Sequence, residues 1–272
     1  MFANDPDRGP PTALKGWLSD IYFPALLDAQ RAPSLDALAQ RLGARATLDD
    51  PLFGRAAGLP AITARLDEMA TWLAKHSASY ERLAFTTGID RDVTEGTLSL
   101  TFDAAEKTVD LPVAVVAERR RSREVELRLY FSTQPVRGKF GVRAPLVAAA
   151  EPIALPAPVG DYVDALAAGK LDAILATFEH DGFLREPRGV QHAKSDGTLR
   201  VYFEKLFAGG AFGGGVEMTR GGAADDGRTC ALEYTITKIC GRTVPPQAGL
   251  LMLERGESAL LRAVRVYDDV EM

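Results

Sequence analysis

Two kinds of hydrophobic spacing follow one another along the chain, and the sequence runs through them twice. From Thr12 to Ala29, the residues Leu14, Trp17, Leu18, Ile21, Tyr22, Ala25 and Leu26 recur at helical spacing, which predicts an amphipathic helix that Pro24 should kink or restart. Ser34 is placed to cap a second helix, Leu35 to Leu42, and Gly43 to close it. An extended run, ATLDDPLFG at Ala46 to Gly54, leads into Ile62, Leu66, Met69, Ala70 and Leu73, the buried stripe of a long helix. After Gly88 the period becomes two. Leu98, Leu100 and Phe102 alternate with polar residues, followed by Val109, Leu111, Val113 and Val115, and then by Val125, Leu127, Leu129 and Phe131. Helices followed by strands predict an α+β layer arrangement, with a curved antiparallel sheet wrapped around three helices.

Between Val142 and Val159, Pro145, Pro152, Pro156 and Pro158 accompany an alanine run and no apolar period, which marks a linker. The second half then repeats the order of the first. Tyr162 to Ala168 and Leu171 to Phe178 are two short helices, and Leu199 to Phe207 a longer one. Val216 to Met218, Thr229 to Ile239, Ala248 to Glu254 and Leu260 to Tyr267 are strands. The expected organisation is a flexible tail over residues 1–12, a first domain over 13–141, a linker over 142–158 and a second domain over 159–272.

Composition narrows the class. The chain has 272 residues, 46% hydrophobic and 25% charged, which suits two globular domains and gives no sign of disorder. A net charge of -5 offers nothing to a nucleic acid, and no apolar run reaches the ~20 residues of a membrane span. The basic run within ERRRSRE, Glu118 to Glu124, is flanked by acids and reads as a hairpin turn; the glycine-rich Gly209 to Gly215 lacks the lysine of a phosphate loop. The two cysteines, Cys230 and Cys240, are too few for a disulfide framework or a zinc site, and the start MFANDPDRGPP lacks the marks of a secretory signal, so a reduced, cytoplasmic protein without metal or cofactor is expected.

The candidate chemistry sits at matching places in the two halves. Each has a tyrosine on the buried side of its first helix, Tyr22 and Tyr162, and a carboxylate-proline pair after its second, Asp50-Pro51 and Glu186-Pro187. Proline holds the preceding acid in an extended or turn conformation, fixing the carboxylate on the wall beyond the helices. A phenol and a carboxylate facing one apolar cavity can move a proton next to a carbonyl. Pocket walls are expected from Tyr202, Phe203, Trp72 and Phe53, with Glu233 joining them if its strand face is the concave one. His180 and Asp181 read as a helix-end loop, His192 as a solvent-exposed loop residue, and Asp268 and Asp269 as charge at a strand end.

The run YVDALAAGKLDAILATF with its carboxylate-Pro-x-Gly turn at Glu186 to Gly189 resembles bacterial ketosteroid isomerases and the wider NTF2-like superfamily, which includes SnoaL-like polyketide cyclases. ATLDDPLFG resembles the family's catalytic-aspartate turn. The resemblance implies two cones with internal pockets, paired through their sheets as an internal pseudo-dimer, with further pairing of whole chains as a homodimer left open. It implies that Tyr22 and Tyr162 stabilise an oxyanion and that Asp50 and Glu186 act as general base. It also implies a small hydrophobic ligand or substrate, for isomerisation or cyclisation. The isomerases' second oxyanion acid has no counterpart near Val113 or Ala114, or near Ala248 or Gly249. SnoaL-like proteins often carry an aspartate after an aromatic residue where Asp268 stands. The rival expectation is a binding or dimerisation module whose cone does no chemistry.

Overall fold

The computed structural model describes residues 17–28, 33–102, 107–120, 124–149, 153–208 and 214–270. The predicted tail and the centres of the ERRRSRE and GGAFGGG runs lie outside them. Among the described residues the first half contains α1 (Leu18–Leu27), α2 (Pro33–Leu42), β1 (Thr47–Asp50), β2 (Gly54–Ala57), α3 (Leu59–Lys75), β3 (Ser79–Thr87), β4 (Arg91–Phe102), β5 (Lys107–Arg119), β6 (Val125–Tyr130) and α4 (Gln134–Arg137). The second contains α5 (Ala157–Ala168), α6 (Leu171–Ala176), β7 (Phe178–Arg185), β8 (Gln191–Ala193), α7 (Thr198–Ala208), β9 (Val216–Asp225), β10 (Thr229–Ile239), β11 (Arg242–Arg255) and β12 (Leu261–Tyr267).

Each half forms one six-stranded sheet, in the orders β2-β1-β6-β5-β4-β3 and β8-β7-β12-β11-β10-β9. The sheets are mixed: β1 runs parallel to β6 and β7 parallel to β12, while the other pairs are antiparallel. Some expectations need correction. Pro24 lies within an unbroken α1. The predicted helix at Leu171 stops at Ala176, and Phe178 to Arg185 is a strand, so His180 and Asp181 lie within that strand, in the irregular stretch between the Phe178 and Phe183 pairings, and not in a helix-end loop. The strand β3 was hidden in the sequence because most of its side chains are exposed or half-buried, which leaves little apolar signal. No helix among the described residues is long and apolar enough to cross a membrane.

The period-two pattern separates two cores. On β5, Val113, Val115 and Ala117 join the helices of the first cone, whereas Ala114 and Val116 face the other half. On β11, Leu251 and Leu253 join the second cone, whereas Ala248, Leu250 and Met252 meet Ala114, Val116 and Tyr130 across the junction. A sheet buried on both faces needs apolar residues at successive positions, which accounts for the runs LPVAVVA and AGLLMLE. The halves are therefore docked sheet to sheet as an internal pseudo-dimer.

Buried charges cross this junction in an exchanged pattern. Ladder register makes Glu95, Ala114 and Tyr130 equivalent to Glu233, Leu250 and Tyr267. Glu233 accepts from Arg128 Nε at 2.6 Å, Arg91 Nη1 at 2.8 Å and the Tyr130 hydroxyl at 2.6 Å. Glu95 in turn accepts from Arg265 Nε at 2.6 Å and the Tyr267 hydroxyl at 2.7 Å. Burial opposes the Glu233 charge, but the Arg128 and Arg91 guanidiniums and the hydrogen bonds to it outweigh burial and hold the carboxyl below its ordinary range. Removing one partner of such a cluster leaves the others charged and dry. Glu233→Ala is expected to lower stability by about 3–5 kcal/mol in equilibrium urea unfolding. A loss below ~1 kcal/mol would show that the docking does not depend on the exchanged pairs.

Candidate functional site

The second cone closes around three tyrosines and one carboxylate. Tyr162 comes from α5, Tyr202 from α7, Tyr234 from β10, and Asp268 from the first residue past β12. They share a cavity of about 30 Å³ with Leu166, Phe203, Leu206, Met218 and other apolar side chains. That is room for about one water. Tyr162 is placed by its helix face and by edge-on packing against Phe178, with ring centroids 5.8 Å apart. Tyr234 points inward because it shares strand parity with Leu232 and Ile236 in the second core. Its ring lies across Gly249 on β11, where a Cβ would come within 2.4 Å of Tyr234 Cζ, so only glycine leaves it space.

Asp268 continues the parity of Val264 and Val266 and so faces the cone. It accepts the Tyr234 hydroxyl at 2.7 Å. Burial pushes its carboxyl up to about 6, against the Tyr234 and Val270 hydrogen bonds and with help from the Asp269 charge. Burial, with the nearby acidic groups second, raises Tyr202 and Tyr234 as well, and burial alone raises Tyr162, so all three phenols stay protonated donors at neutral pH. An apolar cavity thus holds neutral hydroxyl donors beside a carboxyl that titrates near neutrality.

Glu186 stands at the rim, where register makes it the counterpart of Asp50. Its Oε1 lies 2.6 Å from His192 Nε2, and Arg188 is 3.6 Å from Oε2. His192 stacks on Tyr202 with centroids 4.7 Å apart. The histidine is therefore half-buried and not the solvent-exposed residue expected, and Glu186 is not part of the cavity lining.

In the first cone the equivalent positions are filled. Tyr22 donates to Met69 Sδ at 3.2 Å. Asp50 Oδ1 accepts the turn amides of Leu52 at 2.6 Å and Phe53 at 2.9 Å, so this carboxylate caps the turn before β2. Burial raises Asp50, opposed by those amides and by Arg143 and Arg65; burial, then the Asp50 charge, raises Tyr22. Phe131 occupies the counterpart of Asp268, and Gly96 that of Tyr234, with the Tyr80 ring where a Cβ would be. Phe53 and Trp72 make an edge-on pair, 6.0 Å between centroids, at the margin of the apolar core.

The structure brings Tyr162, Tyr202 and Phe203 together and leaves Glu186, Tyr22, Asp50, Phe53 and Trp72 off that cavity. Glu233 is corrected outright. The concave face of β10 carries Leu232 and Tyr234, so Glu233 points the other way and is consumed by Arg128, Arg91 and Tyr130. Sequence reasoning passed over Tyr234. For Asp268, the signal was its parity with Val264 and Val266. Among the described residues no group of three or more His, Cys, Asp or Glu side chains is gathered as a metal site.

No family model matches the chain, and no curated protein matches it. Among solved structures it is similar to an NTF2-like protein of unknown function from Cytophaga hutchinsonii, with 16% identity over 44% of this chain and 93% of that one and a TM-score of 0.34. It is also similar to SalBIII, described as an epoxide hydrolase/cyclase-like enzyme in pyran ring formation in the polyether salinomycin, with 15% identity over 41% and 85% and a TM-score of 0.33. A hypothetical protein with a ketosteroid isomerase-like fold from Catenulispora acidiphila, in complex with trimethylamine, shows 18% identity over 43% and 89% and a TM-score of 0.34. The chain itself is a tandem of two like folds, each a six-stranded mixed sheet with one parallel pair.

The raised carboxyl has a consequence for stability. Asp268 binds its proton more tightly in the folded protein than in the unfolded chain, so its contribution is full below about 4 and is lost as pH rises through about 6. A shift of this size is worth at most about 3 kcal/mol. Asp268→Asn should melt above the wild type at pH 7 to 8, by about 1–3 kcal/mol, and the gap should close by pH 4. Equal melting of the two proteins at pH 8 would place the carboxylate in a wetter site than this one.

Proposed function

We propose that the second cone performs cofactor-independent proton transfer on a small, mostly apolar carbonyl compound. Asp268 takes the proton α to the carbonyl, and Tyr162 and Tyr202 donate hydrogen bonds to the oxygen as it becomes an enolate. The observation that carries this reading is a buried carboxyl pushed up to about 6 in the same apolar cavity as three protonated phenols. A base of that pKa is ionised at neutral pH yet basic enough to work. Tyr234 shares its hydrogen with Asp268 and orients the carboxylate. Glu186, which the family resemblance nominates as base, supports His192 at the rim. Tyr22 and Asp50 have structural duties in a filled cone.

A substrate larger than water needs the α7 side chains Phe203 and Leu206 to swing aside, because the cavity is only about 30 Å³. That closure favours a second reading, in which the cone holds a small ligand, or only supports the docked pair, without chemistry.

The deciding measurement is hydrogen-deuterium exchange and double-bond migration on β,γ-unsaturated ketones and small diketones. Asp268→Asn should lose at least ~100-fold in rate, Asp50→Asn should be unchanged, and wild-type kcat/KM should fall about tenfold per unit below pH 6. Loss in Glu186→Gln with activity kept in Asp268→Asn would return the base to Glu186. Absence of turnover together with thermal stabilisation by phenolic enolate mimics would establish the binding reading instead.

A further inference from the structure

The exchanged Glu-Arg-Tyr links run both ways between the halves, but one set of contacts runs one way only. β12 ends its ladder at Tyr267, opposite Leu250, so the backbone of Asp268 and Asp269 lies past the last paired residue. There Asp269, in the second half, is held by the first. Its Oδ1 accepts Ser132 Oγ at 2.8 Å and the Thr133 amide at 2.9 Å; its Oδ2 accepts Thr133 Oγ1 at 2.5 Å and the Gly141 amide at 2.6 Å. On the other side of Asp268, Tyr267 is fixed to Glu95 of the first half. Asp268 is thus pinned at both neighbours by the opposite half while its own side chain faces its own cavity. The counterpart of Asp269 in the first half is Ser132, itself a member of the cradle, so no reciprocal cradle exists at that position. Docking, which the exchanged pairs already secure, does not require this asymmetry.

We infer that the first half is a positioning partner for the second half's site, and that the Ser132-Thr133-Gly141 cradle around Asp269 sets the place and burial of the Asp268 carboxylate. Its value to function rests on the reading of Asp268 as the working carboxylate. The positioning itself can be tested without turnover.

The readout is the titration midpoint of the Asp268 carboxyl carbon by ¹³C NMR of the full chain, assigned with Asp268→Asn. The groups facing that carboxyl are Tyr234 from β10, Tyr202 from α7, Tyr162 from α5 and Asp269 on its own segment, and none is itself substituted in the test. In Ser132→Ala/Thr133→Val, two hydroxyl donors to Asp269 are gone. In Gly141→Ala every donor remains, but the new methyl comes within 2.9 Å of Asp269 Oδ2. Both variants should loosen the segment, admit water to Asp268 and move its midpoint down from about 6 by about one unit. The affinity for a phenolic mimic, where the wild type binds one, should weaken several-fold. A midpoint within ~0.3 unit of wild type in the folded variants overturns the inference. If the double variant does not fold, Gly141→Ala alone decides. Wild type that neither exchanges protons nor binds a phenol refutes the functional reading and leaves the titration to score the cradle independently.

Discussion

The arrangement depends on two buried glutamates, each satisfied by the opposite half. Glu95 has no exposed surface and Glu233 almost none, and water cannot compensate either charge. A carboxylate in that position is tolerable only while its guanidinium and phenol partners are in place. Those partners, Arg265 with Tyr267 and Arg128 with Tyr130, belong to the other sheet. An undocked half would present an open apolar face carrying unmatched acids and arginines. The aliphatic contact of Val93, Ala114, Val116, Leu250 and Met252 supplies the area, and the charged pairs supply the register.

That constraint explains why a duplicated chain keeps two cones when the cavity with the carboxylate and three phenols belongs to the second. The first cone has Phe131 and Gly96 where the second has Asp268 and Tyr234, so the polar pair at the heart of the site is absent there. Tyr22 survives with Met69 as its hydrogen-bond partner, and Asp50 survives as a turn cap, both local duties that need no ligand. Yet the outer face of that cone still carries the groups that satisfy Glu233 and cradle Asp269. One face of the sheet is free to become ordinary core while the other is held to its partner.

Much of this was legible in the sequence, and the boundary of legibility has a physical cause. The repeat, the helix faces and the inward turn of Tyr162 follow from spacing alone, because they depend on the local period. β3 and β7 did not emerge: β3 is largely exposed, and β7 begins FEHDGF with charged residues at its outer edge. Glu233 was open in sequence because parity says which residues share a face but not which face is concave. The burial of Asp268 was invisible for a deeper reason. An aspartate after the last strand is ordinarily solvated, and this one is dry only because its neighbours are fastened to a domain more than a hundred residues away.

The preference for Asp268 over Glu186 as the working acid rests on the same logic of surroundings. Glu186 lies off the cavity, with its Oε1 taken up by His192 and its Oε2 within reach of Arg188. Asp268 has one phenol, an amide and an acidic neighbour in a cavity of aliphatic and aromatic walls, and its charge is disfavoured. A carboxyl kept in such a place costs the fold stability at neutral pH. An isosteric asparagine would remove the cost and keep an acceptor for Tyr234. The carboxyl therefore does not stabilise the fold at neutral pH, which supports the proposed role of Asp268 as a base.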